Sequence, residues 1–236
     1  MIHLFTDPNL RELWNTGACG HYPDALARRV LAFLDVLDAV SSIEELENVP
    51  ACKTRPLFDR GIGDVKVIDV SPNWQIIFHT EGGNFTGLRL HHTMTPAVPR
   101  AVTTLSIVPK MRKPTSPAAI LKYFFMDPMN LRQTDLADML KLNRGRINSI
   151  MRGRFNISAD TASRFESLFG VSAQFWLRLQ MNHDIWEVKS THGGEYNAIQ
   201  RAKSRQAQQY ESAENNEIPS PQDVESNVSF HNAALT

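Results

Sequence analysis

The stretch from Gln133 to Gly153 constrains the fold more than any other part of this 236-residue chain. Gln133–Leu140 carries Leu136 and Leu140 one turn apart, so it reads as a short helix with one apolar face. Ala137 is small where a second helix must cross closely. Lys141-Leu142-Asn143 forms a three-residue turn, and Asn143 is a favourable N-cap for a second helix. That helix, Arg144–Arg152, puts Ile147, Ile150 and Met151 on one side. At about 100° per residue, Asn148, Ser149 and Arg152 fall on the other side, flanked by Arg144 and Arg146. Gly153 stops the helix. Two short helices with a tight turn, the second polar and basic outward, have the geometry that lays a helix in the major groove of DNA.

The residue types agree with that geometry. Arginine pairs bidentately with the guanine edge and asparagine with adenine, while serine serves a base or a phosphate. Arg144, Arg146, Asn148, Ser149 and Arg152 are therefore the candidate DNA contacts, with Asn143 at the cap beside them. Gln133 and Thr134 open an exposed helix whose free N–H groups favour a phosphate oxygen. Gly145 leaves room for backbone and DNA to approach. A helix with outward arginines is more often only a solvated face, so the charge distribution matters. Residues 1–92 hold 8 Lys and Arg against 12 Asp and Glu, residues 93–190 hold 14 against 7, and residues 191–236 hold 3 against 6. The net charge of zero thus conceals one basic segment, the one holding the two helices, and only that segment suits a polyphosphate.

The rest of the chain divides around it. Ile2–Phe5 reads as a short edge strand. Asp7 and Pro8 suit the N-cap and first position of a helix ending near Gly17. Leu26, Val30, Phe33, Leu34, Leu37 and Val40 form the apolar face of a second helix opened by Pro23. After a helical turn at Ser42–Leu46, the period changes to strands around Val65–Val70, Trp74–Phe78 and Phe85–Leu90, separated by turns at Ser71-Pro72-Asn73 and Glu81–Asn84. The expected architecture is an N-terminal α+β domain (two helices and an antiparallel sheet) over residues 1–92. A proline-rich, semi-rigid basic linker covers 93–116. An all-α helix-turn-helix domain covers 117–187, and a polar, acidic, largely disordered tail covers 188–236, with Tyr196–Tyr210 able to form helix.

No apolar run approaches the roughly 20 residues of a membrane span, and Met1–Leu10 lacks the pattern of a signal peptide, so the expected location is the cytoplasm. Cys19 and Cys52 form no CxxC pair and no metal spacing with the histidines. Neither a metal nor a cofactor is expected.

Pro117–Trp186 resembles the HigA branch of the lambda-repressor-like (XRE) antitoxins. The resemblance rests on Ala118–Phe125, Leu131–Ala137, Arg146-Ile147-Asn148 with Gly153, Ile157–Ala162 and Phe175–Gln180. It implies a homodimer that binds a palindromic double-stranded operator in its own promoter. The Phe175, Trp176 and Leu179 stripe would supply core or dimer contacts; aromatics at helical spacing are more often core, so no site is assigned to it.

The order of elements in residues 1–92 resembles the HigB branch of the RelE-like toxins, which cleave mRNA on the ribosome. Pro23–Leu37, Pro56-Leu57 and the Trp74–Phe78 strand carry this likeness, and Met111 sits where a separate antitoxin would begin. The resemblance implies a toxin–antitoxin fusion. Its nuclease chemistry needs cations and proton-transfer groups, and the expected pattern is broken. Arg55 precedes Pro56-Leu57, Phe58 stands where a lysine is expected, Gln75 follows Trp74, and the last strand ends His91-His92. Arg55, His91 and His92 are the remaining catalytic candidates, and an acidic domain is poorly placed to meet ribosomal RNA. The expectation is a regulator with a catalytically inactive toxin-like domain. The alternative is an mRNA interferase silenced in cis by its antitoxin half, and a third reading is a module that captures a separate toxin or antitoxin.

Overall fold

The computed structural model describes residues 2, 4–18, 20–57, 65–94 and 112–217, with side chains through 208. Cys19, Phe58, Met111 and most of the proline-rich segment lie outside the described residues. The chain forms two compact units, Met1–Glu187 and Val188–Thr236.

In the first unit, α1 (Pro8–Thr16) begins as its cap signal requires: the Asp7 carboxylate accepts the N–H groups of Asn9 and Leu10 at 2.9 and 3.3 Å. The same carboxylate takes the Tyr22 hydroxyl and the Leu90 N–H, tying the helix to the sheet. α2 (Asp24–Ala39) is buried along Val30, Leu34 and Leu37. Ser42 caps α3 (Ile43–Glu47).

The four-stranded antiparallel sheet runs in the order β1 (Thr54–Pro56), β2 (Val65–Ser71), β3 (Trp74–Glu81) and β4 (Asn84–His92). One face, with Ile68, Val70, Ile76 and Phe78, joins the main core, while Val65, Val67 and Ile77 form a small separate cluster. β1 lay outside the sequence expectation. Of the expected edge strand Ile2–Phe5, the described residues Ile2 and Phe5 make isolated parallel bridges to Phe85 and Leu88, and the Leu4 carbonyl accepts the Leu88 N–H.

The helical half begins with α4, which starts at Pro117–Ile120 and continues as a wider turn over Leu121–Met126. There the Asp127 and Leu131 N–H groups reach back five residues, to Lys122 and Met126; such π-type turns are uncommon inside helices. Then come α5 (Gln133–Leu140), α6 (Arg144–Met151), α7 (Ala159–Phe169) and α8 (Ala173–Glu217).

Two expectations change here. Residues 112–116 are not free linker. Arg112 is 4% exposed and grips Asp35 of α2 through two bonds of 2.7 and 3.1 Å. It also donates to the Trp14 carbonyl at 3.0 Å, and Thr115 donates to the same aspartate at 2.8 Å. A buried carboxylate needs this saturation, because an unpaired one would lose its hydration without return. Nor are the two halves separate bodies, because one core runs through both. The Phe33 ring meets Phe124 at 4.8 Å, and Ala51 donates to the Phe124 carbonyl. Polar contacts border it: Asn48 to the Gly170 carbonyl, Glu45 accepting from the Ser172 N–H and hydroxyl, and Arg178 to the Ala39 carbonyl and Ser41.

In the second unit, described by itself, the residues are helical to Glu217, further than the expected Tyr196–Tyr210 span, except for His192. Residues 218–236 lie outside the described residues. Among the described residues no helix is long and apolar enough to cross a membrane.

Candidate nucleic-acid interface

The two short helices fall where their caps put them. Asn143 caps α6 by accepting the Gly145 N–H at 2.6 Å, and a Cβ on Gly145 would sit 3.0 Å from that same oxygen. Gly145 therefore protects the cap of its own helix. At the far end Arg152 is the C-cap and Gly153 comes next with φ +68°. Ile147 and Ile150 are buried, Asn148 and Ser149 half-buried, and Arg144 and Arg152 exposed. One face is thus core and the other is available to a ligand.

The sequence-derived residues do not all have equal freedom. Arg146 donates from Nη2 to the hydroxyls of Ser158 and Thr161, both at 3.1 Å, so its guanidinium braces α6 against α7. Thr134 is half-buried and turns its hydroxyl toward Asp135 at 3.4 Å, whereas Gln133 is exposed at the first position of α5. Asp135 accepts the Arg132 N–H and the Arg132 guanidinium at 2.9–3.1 Å, an arrangement in which the third residue closes the helix start. The Arg132 guanidinium and backbone hold the Asp135 carboxyl down to about 2. Arg164, which sequence reading passed over, donates to the Leu140 carbonyl at the end of α5 and pairs with Asp160. Its signal was only the Asp160-x-x-x-Arg164 spacing on one helix face.

The catalytic candidates of the N-terminal half do not converge. The register aligns Arg55, Val67, Ile77 and Arg89 across all four strands, so Arg55 lies on the opposite edge of the sheet from β4. Three strand spacings of about 4.8 Å separate the two edges. Arg55 pairs with Asp69 at 3.4 Å. The His92 ring packs edge-on to Trp74 at 4.8 Å, and its Nδ1 accepts the Met94 N–H. Burial, with Arg89 and His92 nearby, pushes His91 below the usual histidine range. Arg55, His91 and His92 are therefore not brought together at one site. Cys52 is buried, and burial pushes its thiol up. Among the described residues there is no group of three or more metal-ligating side chains.

A capped turn joining two short helices, with a polar second helix facing outward and an apolar face on a helical core, defines a helix-turn-helix protein. The pattern of the helix-turn-helix family HTH_3 matches residues 122–176. An uncharacterized HTH-type transcriptional regulator, YbaQ of Escherichia coli K12, is 33% identical over 79 residues, covering 34% of this chain and 70% of that protein. Antitoxin HigA-1 of Vibrio cholerae is 27% identical over 79 residues, covering 34% of this chain and 74% of the relative. The solved Pseudomonas aeruginosa antitoxin HigA with the higBA promoter is 32% identical, covering 35% of this chain and 90% of that one, with a TM-score of 0.35. The chain belongs, through this region, to the helix-turn-helix family of transcriptional regulators.

Proposed function

We propose that the protein is a sequence-specific repressor that binds a palindromic operator in its own promoter as a homodimer. The carrying observation is the outward face of α6, where Arg144, Asn148, Ser149 and Arg152 lie together opposite the buried Ile147 and Ile150. Arg144 and Asn148 take bases, Arg152 and Gln133 take phosphates, and Arg146 holds the reading helix in place. Similarity to an antitoxin supports membership of a toxin–antitoxin system. Footprinting of the full-length protein on its own upstream region tests the reading. Protection of an inverted repeat is expected, with affinity falling steeply as salt rises. Arg144→Ala should cost about 1–3 kcal/mol at one base position; unchanged affinity and selectivity would remove α6 as the reading head.

The dimer contact we assign to α8. Phe175, Trp176 and Leu179 are 0–3% exposed and belong to the core, whereas the neighbouring stripe of Leu177, Met181 and Ile185 is 36–51% exposed and is the face we assign to the dimer. A second copy laid antiparallel about Met181 would set Leu177 against Ile185 and Arg178 against Asp184, a self-complementary pattern suited to a two-fold contact. Met181→Glu should yield monomers in analytical ultracentrifugation.

The N-terminal part serves, in this reading, as a fixed support without catalysis. The separation of Arg55 from His91 and His92 speaks for it and against a cis-silenced interferase. Expression of residues 1–95 is expected to leave growth and mRNA intact; growth arrest with ribosome-dependent cleavage would reverse the assignment.

A further inference from the structure

The polar surface of α6 extends past Gly153. The Arg154 and Phe155 N–H groups both turn back to the Ser149 carbonyl, at 2.8 and 3.3 Å, which holds this loop against the last turn of the helix. Phe155 is 58% exposed, whereas every other described phenylalanine is 9% exposed or less. Among the described phenylalanines this one alone stays in water, next to a residue of the reading face. Arg152 and Arg154, both exposed, flank it. Exposure of a large apolar ring forgoes burial free energy, and an unburied ring beside paired arginines fits a ligand that is anionic overall yet carries apolar groups. DNA meets both conditions, since the thymine C5-methyl is the apolar group displayed on a major-groove base edge.

We propose that Phe155 is a specificity-determining residue that reads thymine through its C5-methyl, while Arg152 and Arg154 hold the adjacent phosphates. This rests on α6 being the reading helix. It adds a hydrophobic readout beyond the helix to the hydrogen-bonding readout within it.

The experiment uses the full chain and the duplex it selects from a random-sequence library. Replacing the contacted thymine by deoxyuridine removes one methyl and should weaken wild-type binding about fourfold. Phe155→Ala should weaken binding about tenfold, leave the melting temperature unchanged, and become indifferent to that methyl. Phe155→Leu should retain a preference for thymine. Arg154→Ala should instead flatten the salt dependence by about one unit of slope. Wild-type-like binding by Phe155→Ala, or a deoxyuridine penalty that persists in it, overturns the proposal while leaving the α6 reading intact. Failure of the wild-type protein to select any sequence overturns both.

Discussion

At the scale of single residues, several described polar side chains hold backbone in place. Asp135 illustrates it, because its low carboxyl value reflects bonds to Arg132 that exist only in the folded chain. A group depressed on folding stabilises at pH above its unfolded value and loses that contribution as pH falls through its folded one. The α5 cap should therefore be intact above pH 4 and weaken toward pH 2. Arg132→Ala should move the Asp135 titration, followed by carboxyl carbon NMR, back toward 3.8. Gly87 carries a different constraint: φ is +65° and a Cβ would come within 2.9 Å of the His79 ring. Gly87→Ala is expected to destabilise by about 1–3 kcal/mol in urea unfolding. Among the candidate site residues, Asn143, Arg144 and Arg152 were legible because cap and face are set by local spacing. The bracing role of Arg146 was not, since its partners lie 12 and 15 residues away on another helix.

At the scale of elements, legibility tracks the strength of local signals. α1 and α6 carry side-chain caps, α2 and α5 apolar periodicity, and the two turns of the meander Pro-Asn and Gly-Gly, so their positions are readable from the chain alone. β1 has three residues and ends in Pro56, too short for alternation to show. The wide turn after α4 has no compositional mark, because its register is set by Phe124 and Phe125 entering two different parts of the core. The turn between α5 and α6 stores a small cost. Lys141 caps α5 with φ 53° and ψ 43°, a left-handed conformation unfavourable for a side-chain-bearing residue. Lys141→Gly should raise stability by about 0.5–1 kcal/mol, measured by chemical denaturation.

At the scale of the whole molecule, the charge segregation along the sequence suggested separate parts, yet the packing joins them. Periodicity exposes which face of a helix is apolar but not which helix will cover it, so the contact of α2 and α3 with α4, α7 and α8 stayed hidden. Asp35 stood among the apolar residues of α2 without a visible reason until Arg112, 77 positions away, supplied one. Arg112→Ala leaves that carboxylate buried and unpaired, and should cost about 3–5 kcal/mol in thermal or urea unfolding. Calorimetry is expected to give a single transition for the unit whose core holds both Trp14 and Trp176. The shared core also has a hydrodynamic consequence. With Asn48, Glu45 and Arg178 bridging the halves, Val30 and Ile150 should tumble with one rotational correlation time in 15N relaxation. An operator that captures α6 would then immobilise the sheet as well, so that any molecule binding the sheet acts on the same rigid rotor as the DNA.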